Sequence, residues 1–257
     1  MLKEESRFGE STVFEGMTSL RAVLDANENG ISDRKILRIL YDSAKEKSKE
    51  KELSYIRRRA RELGFPVQSC SAEEIDALAT GNSHGGIIAE CTGRSIPTLA
   101  DGMLPSDGFA VMIEGIEDPY NFGYALRTIY AAGADAVILT PRNWMSAAGV
   151  VCRSSAGASE LLPLFIGEPS EAVDIARCAG YKIVCAGIRD SVSAFDADLH
   201  RPLLLIVGGE KRGISRAVLD KADTVVRLDY GREFRGSLSA ASAASVLAYE
   251  VLRQNRT

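Results

Sequence analysis

Histidine is scarce in this 257-residue chain: only His84 and His200 occur, and neither lies near a cysteine. A zinc site and a serine–histidine triad are therefore not expected. The five cysteines, Cys70, Cys91, Cys152, Cys178 and Cys185, are odd in number and scattered, with no C-x-x-C pair. That pattern argues against a disulfide framework and suits reduced thiols in a cytoplasmic protein. Long apolar runs are missing too. The longest aliphatic stretch covers residues 203–207, far short of the roughly 20 residues that span a bilayer. The polar opening Met1-Leu2-Lys3-Glu4-Glu5 predicts no secretory signal. Nor is there an excess of positive charge: 31 Lys and Arg face 35 Asp and Glu, a net charge of −4. Contact with a nucleic acid would have to rely on locally concentrated cations. What is present is ordinary for a globular protein, 46% hydrophobic and 26% charged residues, in a chain long enough for two cores.

The two halves read differently. Residues 12–14, 35–41 and 86–91 look like strands, and residues 17–26 and 48–63 like helices. Ser71 and Glu74 have the spacing of a capping box for another helix. This alternation predicts a small α/β domain. Residues 92–108 carry two prolines, three glycines and no periodicity, as a linker would. Beyond them, apolar strands at 109–113, 136–140, 161–166, 182–186, 203–207 and 224–228 alternate with helices at 122–132, 170–179 and 238–253. Continuous apolar strands between helices predict a mostly parallel sheet covered on both faces. Ligands in such sheets sit beyond the carboxyl ends of the strands.

Three segments at such ends could carry chemistry. The first runs from Glu114 through Asp118-Pro119-Tyr120-Asn121-Phe122-Gly123 to Arg127-Thr128. Asp118-Pro119 favours a turn and Asn121 is a suitable N-cap, with Gly123 and Arg127 four residues apart on the helix that follows. Read alone, it is a strand–turn–helix with one solvated arginine. The second, Gly208-Gly209-Glu210-Lys211-Arg212-Gly213, packs three glycines into six residues but matches neither the dinucleotide fingerprint nor a P-loop. It can wrap a nucleoside with backbone groups or simply turn. The third, from Gly236-Ser237-Leu238-Ser239 to Ser245, is a run of small residues that suits close helix packing, a subunit interface, or an N-cap at Ser237.

In this order the segments resemble the SpoU (TrmH-like) class of SPOUT methyltransferases, which transfer a methyl group from S-adenosylmethionine to a ribose 2′-hydroxyl in RNA. The family's D-P-x-N-x-G-x-x-x-R-T is matched by Asp118, Pro119, Asn121, Gly123, Arg127 and Thr128. Its G-x-E-x-x-G is matched by Gly208, Glu210 and Gly213. Its S-L-N-V-S, with a helix ending in Tyr-Glu, is matched by Ser237, Leu238, Tyr249 and Glu250. Ser155-Ala156-Gly157-Ala158 and Leu162-Pro163 also have family counterparts, and His84-Gly85-Gly86-Ile87 resembles the end of the family's substrate-binding domain. The chain departs from the pattern at Ser239 (family asparagine), Ala241 (second serine) and Asp229 (proline). These departures leave a catalytically inactive RNA-binding or ribosome-assembly relative as the alternative.

The resemblance implies an N-terminal RNA substrate-binding α/β domain over residues 1–92, a linker at 93–108, and a SPOUT methyltransferase domain at 109–257 with a trefoil knot. It implies a homodimer acting on ribosomal or transfer RNA, with no metal and no membrane. S-adenosylmethionine would be held by Ala186, Gly187, Gly208, Gly209, Glu210, Gly213, Leu228, Tyr230, Ser237, Leu238 and Ser239. Arg127 would be catalytic, with Asn121, Glu210 and Ser237 orienting groups around it. The family assigns the arginine as a general base. A guanidinium is better suited to binding a phosphate and stabilising developing alkoxide charge, since its pKa exceeds about 12. RNA would be gripped by Arg57, Arg58, Arg59 and Arg61, by Arg127, and by Arg142 beside Trp144. Without an RNA partner, the cluster around Arg57 reads as a solvated, ion-paired helix.

Overall fold

Local capping chemistry sets several element boundaries in the computed structural model, which describes residues 13–140, 147–209 and 212–256. The chain opens with β1 (Val13–Glu15), α1 (Gly16–Glu28), β2 (Ile36–Asp42), α2 (Glu50–Leu63), β3 (Val67–Cys70), α3 (Ala72–Leu78) and β4 (Ile87–Cys91). Helix α3 begins as its sequence requires. Ser71 Oγ accepts from the Glu74 N–H at 3.2 Å, and Glu74 Oε2 accepts from the Ser71 N–H at 2.8 Å. The strands form a sheet in the order β1-β4-β2-β3, antiparallel except for β2-β3. His84 orders the turn before β4: Nδ1 accepts from the Gly86 N–H at 3.1 Å, which leaves Nε2 to donate toward Asp76 at 3.0 Å.

The chain continues with β5 (Phe109–Glu114), α4 (Pro119–Ala131), β6 (Ala136–Leu139), α5 (Ala148–Ser154), α6 (Ala158–Leu161), β7 (Leu164–Ile166) and α7 (Pro169–Cys178). Then come β8 (Lys182–Ala186), β9 (Val192–Ser193), β10 (Leu203–Gly208), α8 (Arg216–Leu219), β11 (Thr224–Arg227) and α9 (Ala240–Gln254). Seven strands form one sheet, β7-β6-β5-β10-β8-β11-β9, in which every pairing is parallel. Residues 203–207 are all buried, as a strand covered on both faces requires. Met112, Ile138, Ile183, Leu204 and Ile206 pack with Ala172, Val173 and Ala176 of α7, while α9 packs on β10 and against α4.

The described residues divide into two units: 13–95 with 147–161, and 96–140 with 162–209 and 212–256. The first therefore draws α5 and α6 from far along the chain. Ala148 and Cys152 join Phe14, Leu53 and Ile56 in its core. The Glu15 carboxylate accepts from the Thr80 and Gly81 N–H groups at 2.7 and 3.1 Å and pairs with Arg153. Residues 96–108, expected as a linker, are anchored in the second unit: Leu99 and Leu104 enter its core, and the Leu99 N–H donates to the Ile166 carbonyl at 2.8 Å. Two isolated leucines without periodicity gave no sign of this burial. All five cysteines are free thiols. Burial pushes Cys91 and Cys185 up to about 12, which keeps them protonated and unreactive.

Candidate functional site

Strand order locates the site. From β5 the sheet runs outward through β6 to β7, whereas β8 and β11 lie on the opposite side of the inserted β10. A parallel sheet that reverses direction in this way opens a crevice at its carboxyl edge. The ends of β5, β10, β8 and β11, at Glu114, Gly208, Ala186 and Arg227, lie along that edge.

Two loops cross there, backbone against backbone. The Gly209 N–H donates to the Glu114 carbonyl at 2.5 Å. A Cβ on Gly209 would lie 2.1 Å from the Gly115 carbonyl oxygen, and one on Gly208 would lie 2.3 Å from the Gly213 carbonyl carbon. Gly213 closes the second loop, its N–H donating to the Gly209 carbonyl at 2.9 Å with φ +63°. The Ser215 N–H reaches Glu114 Oε2 at 3.3 Å. Glu114 and Gly115 (φ +98°) open the first of the three segments without an expected site role, although a glycine directly after an apolar strand is a usable signal.

Helix α4 starts earlier than expected. Asp118, not Asn121, is its N-cap: Oδ1 accepts from the Asn121 N–H at 2.8 Å, and Pro119 occupies the first helical position. Proline pre-sets the helical φ and has no N–H to satisfy, so the turn and the helix start coincide. Arg127 is exposed on this helix and has no hydrogen-bond or ion-pair partner among the described residues, whereas Gly123 is buried.

The third segment also shifts. Ser239, not Ser237, caps α9: its Oγ accepts from the Ser242 N–H at 3.1 Å and lies 3.0 Å from the Ser242 hydroxyl. Ser239 has the extended backbone (φ −59°, ψ 154°) that a cap needs. Ser237 is exposed in the preceding loop. Tyr230 Oη accepts from the Leu238 N–H at 3.3 Å, tying that loop to itself. The Gly187 N–H donates to the Val226 carbonyl at 2.9 Å, which sets Ala186-Gly187 beside β11, and Leu228 is half-buried. Contact of α9 with α4 joins the third motif to the first, and the Gly115–Gly209 crossing joins the first to the second. Glu210, Arg142 and Trp144 lie outside the described residues.

Two of the four arginines expected to grip RNA on α2 are closely ion-paired. Arg57 pairs with Glu46 at 2.5 Å, and Arg59 with Glu28 and Glu62, both at 2.9 Å. Arg58 reaches Glu62 only at 3.9 Å, and Arg61 Nε donates to the Arg57 carbonyl at 3.3 Å. By contrast, Arg189, Arg212, Arg232 and Arg235 in the loops after β8, β10 and β11 are exposed. None of the four was among the arginines expected from the sequence to contact RNA.

Fold comparison shows which solved structures share this architecture. An AdoMet-bound rRNA methyltransferase from Sinorhizobium meliloti superposes with TM-score 0.76 at 20% identity, covering 95% of this chain and 88% of that one. The SpoU methyltransferase AviRb from Streptomyces viridochromogenes, in complex with AdoMet, gives 0.72 at 23% identity over 94% and 89%. The sequence pattern of the SpoU rRNA Methylase family matches residues 108–249, and that of RNA 2′-O ribose methyltransferase substrate binding matches 15–97. The chain belongs to the SpoU rRNA methylase family. Shewanella oneidensis RlmB, a 23S rRNA (guanosine-2′-O-)-methyltransferase, is 28% identical over 221 residues, 81% of this chain and 86% of that protein.

Proposed function

We propose that this chain methylates a ribose 2′-hydroxyl of ribosomal or transfer RNA, using S-adenosylmethionine bound at the carboxyl edge of the parallel sheet. The observation that carries this reading is the crossing of Gly209 over Gly115, with Arg127, unpartnered among the described residues, on the helix that follows the same strand. The residues suit a nucleoside cofactor. Ala186, Gly187, Gly208, Gly209 and Gly213 offer backbone and little side-chain bulk, and a Cβ on Gly213 would meet nothing within 4 Å. Leu228, Tyr230 and Leu238 supply apolar flanks, with Ser237 in the loop before α9 and Ser239 at its N-cap. When bound, the cofactor supplies the methyl group as an electrophile.

The chain's own part is positioning and charge. Arg127 holds the phosphate next to the reacting ribose and stabilises the negative charge that grows on its 2′-oxygen. Asn121, Glu210 and Ser237 orient the ribose. Downstream of β11 the chain threads the trefoil knot that the family implies, in keeping with the return of α9 onto α4 and β10.

Incubation of the protein with labelled S-adenosylmethionine and bulk ribosomal and transfer RNA is expected to place label in alkali-resistant linkages. RNA retention without cofactor binding would favour the inactive alternative. Gly209→Ala is expected to weaken cofactor binding by more than about tenfold in calorimetry, equivalent to about 1.4 kcal/mol. The reason is that its Cβ meets fixed backbone rather than a movable side chain.

The active form in this reading is a cytoplasmic homodimer. A groove of about 650 Å³, lined by Thr128, Phe195, Val246, Tyr249 and Leu252, runs along α4 and α9. Its exposed Phe195, Val246 and Tyr249 form an apolar strip that a second copy would cover. Val246→Asp is expected to shift the sedimentation coefficient from dimer to monomer without lowering the melting temperature of the monomer.

A further inference from the structure

The loop between β11 and α9 is built around an exposed aromatic ring. Phe234 is 54% exposed and Tyr230 41%, and their rings meet edge to face, with centroids 5.5 Å apart at 70°. The tip of the Phe234 ring lies near the chain at Gly236, where an added Cβ would come within 2.6 Å of ring carbon Cζ. Tyr230 is itself fixed by the Leu238 N–H. A large apolar ring is thus held out to solvent by three contacts within one short loop, where burial would be the ordinary fate of phenylalanine. It is flanked by Arg232 and Arg235, both exposed and without an ion-pair partner among the described residues. Of the two acids within residues 228–239, Asp229 is engaged by Arg227 at 3.0 Å, and Glu233 is the other. Arg189 and Arg212, likewise exposed and unpaired among the described residues, belong to neighbouring loops of the same sheet edge.

We infer that this loop grips unpaired nucleotides of the RNA substrate, with a base stacked on Phe234 and adjacent phosphates held by Arg232 and Arg235. An aromatic platform between guanidinium groups is the chemistry that recognises single-stranded nucleic acid. In an A-form duplex the bases are stacked on one another and closed to a ring. In a chain of net charge −4, the cations left uncommitted at this edge also complement a polyanion better than the ion-paired arginines of α2. The inference rests on the reading of the chain as an RNA 2′-O-methyltransferase and specifies the substrate form that its site accepts: a loop, a bulge or an end.

The test uses the full chain and measures anisotropy of fluorescein-labelled poly(U) and of a poly(A)·poly(U) duplex, together with calorimetry of S-adenosylmethionine binding and steady-state methylation of bulk RNA. Wild-type protein is expected to prefer the single strand. Phe234→Ala is expected to weaken poly(U) binding about tenfold, and Phe234→Tyr to retain it. Arg232→Gln/Arg235→Gln should lower the slope of log affinity against log salt by about 1.4, the counterion effect of two lost phosphate contacts on a single strand. Equal affinity of wild-type protein for single strand and duplex would overturn the inference. So would unchanged poly(U) binding by Phe234→Ala, or a loss of S-adenosylmethionine affinity as large as the loss of RNA affinity. If wild-type protein methylates RNA and these variants keep its KM, the loop assignment alone fails. If wild-type protein neither binds S-adenosylmethionine nor methylates RNA, the enzymatic reading fails instead.

Discussion

Glu160→Ala is expected to lower the unfolding free energy of the N-terminal unit by about 3–5 kcal/mol, the cost of stranding a buried charge. Glu160 and Arg34 are each 3% exposed, with Arg34 Nε donating to Glu160 Oε2 at 3.0 Å and Nη2 to Oε1 at 3.4 Å. Arg34 is further fixed by Nη1 donating to the Thr92 carbonyl at 2.6 Å and by the Phe14 ring, 4.6 Å from its guanidinium carbon. Arg94, also buried, donates to the Ser159 carbonyl at 2.7 Å and the Ile31 carbonyl at 3.0 Å. Removing the carboxylate leaves Arg34 charged, desolvated and unable to turn to water. The urea midpoint followed by circular dichroism reports the loss. Arg34→Met/Glu160→Leu should recover most of it, because an apolar pair of similar volume removes both desolvation penalties. A loss below about 1 kcal/mol, the range of exposed ion pairs, would mean that Arg34 reaches solvent.

Arg127→Ala is expected to reduce kcat/KM for methyl transfer by about 10²–10³-fold, as deletion of one charge-stabilising donor does elsewhere. Affinity for S-adenosylmethionine should stay within about twofold of wild type, because the proposed role sets the residue at the RNA oxygen rather than on the cofactor. Arg127→Lys separates the two chemical roles by sign. If the cation stabilises the alkoxide, the lysine variant keeps part of the activity at neutral pH and loses it as lysine deprotonates near about pH 10.4. If the residue is the base, the variant's rate rises through the same range.

Much of the fold was legible in the sequence because its signals are local. The capping box at Ser71 and Glu74, the apolar runs of β5, β8 and β10, and the glycine loop at 208–213 each express their structure within a few residues. Less was legible where the partner is remote. Strand β3 has no alternating pattern and exists by pairing with β2, and β9 spans only two residues. The Ser155-Ala156-Gly157-Ala158 turn could be matched by resemblance, but its packing could not. A Cβ on Gly157 would come within 2.5 Å of Ala22 Cβ, so this turn lies against α1 in the N-terminal unit. The N-caps of α4 and α9 were misplaced by three and two residues because each segment offers more than one capping side chain.

By itself the sequence determined the α/β alternation, the family motifs and their order along the chain, all of which depend on short-range periodicity and residue type. Tertiary structure alone decided which arginines are free to meet RNA. Arg59 is neutralised by a glutamate 31 positions away and Arg34 by one 126 positions away, whereas Arg232 and Arg235 keep their charge uncommitted among the described residues. Coulomb attraction acts through space over a few ångströms, and the spacing of charges along a chain does not reveal which of them the fold will bring together.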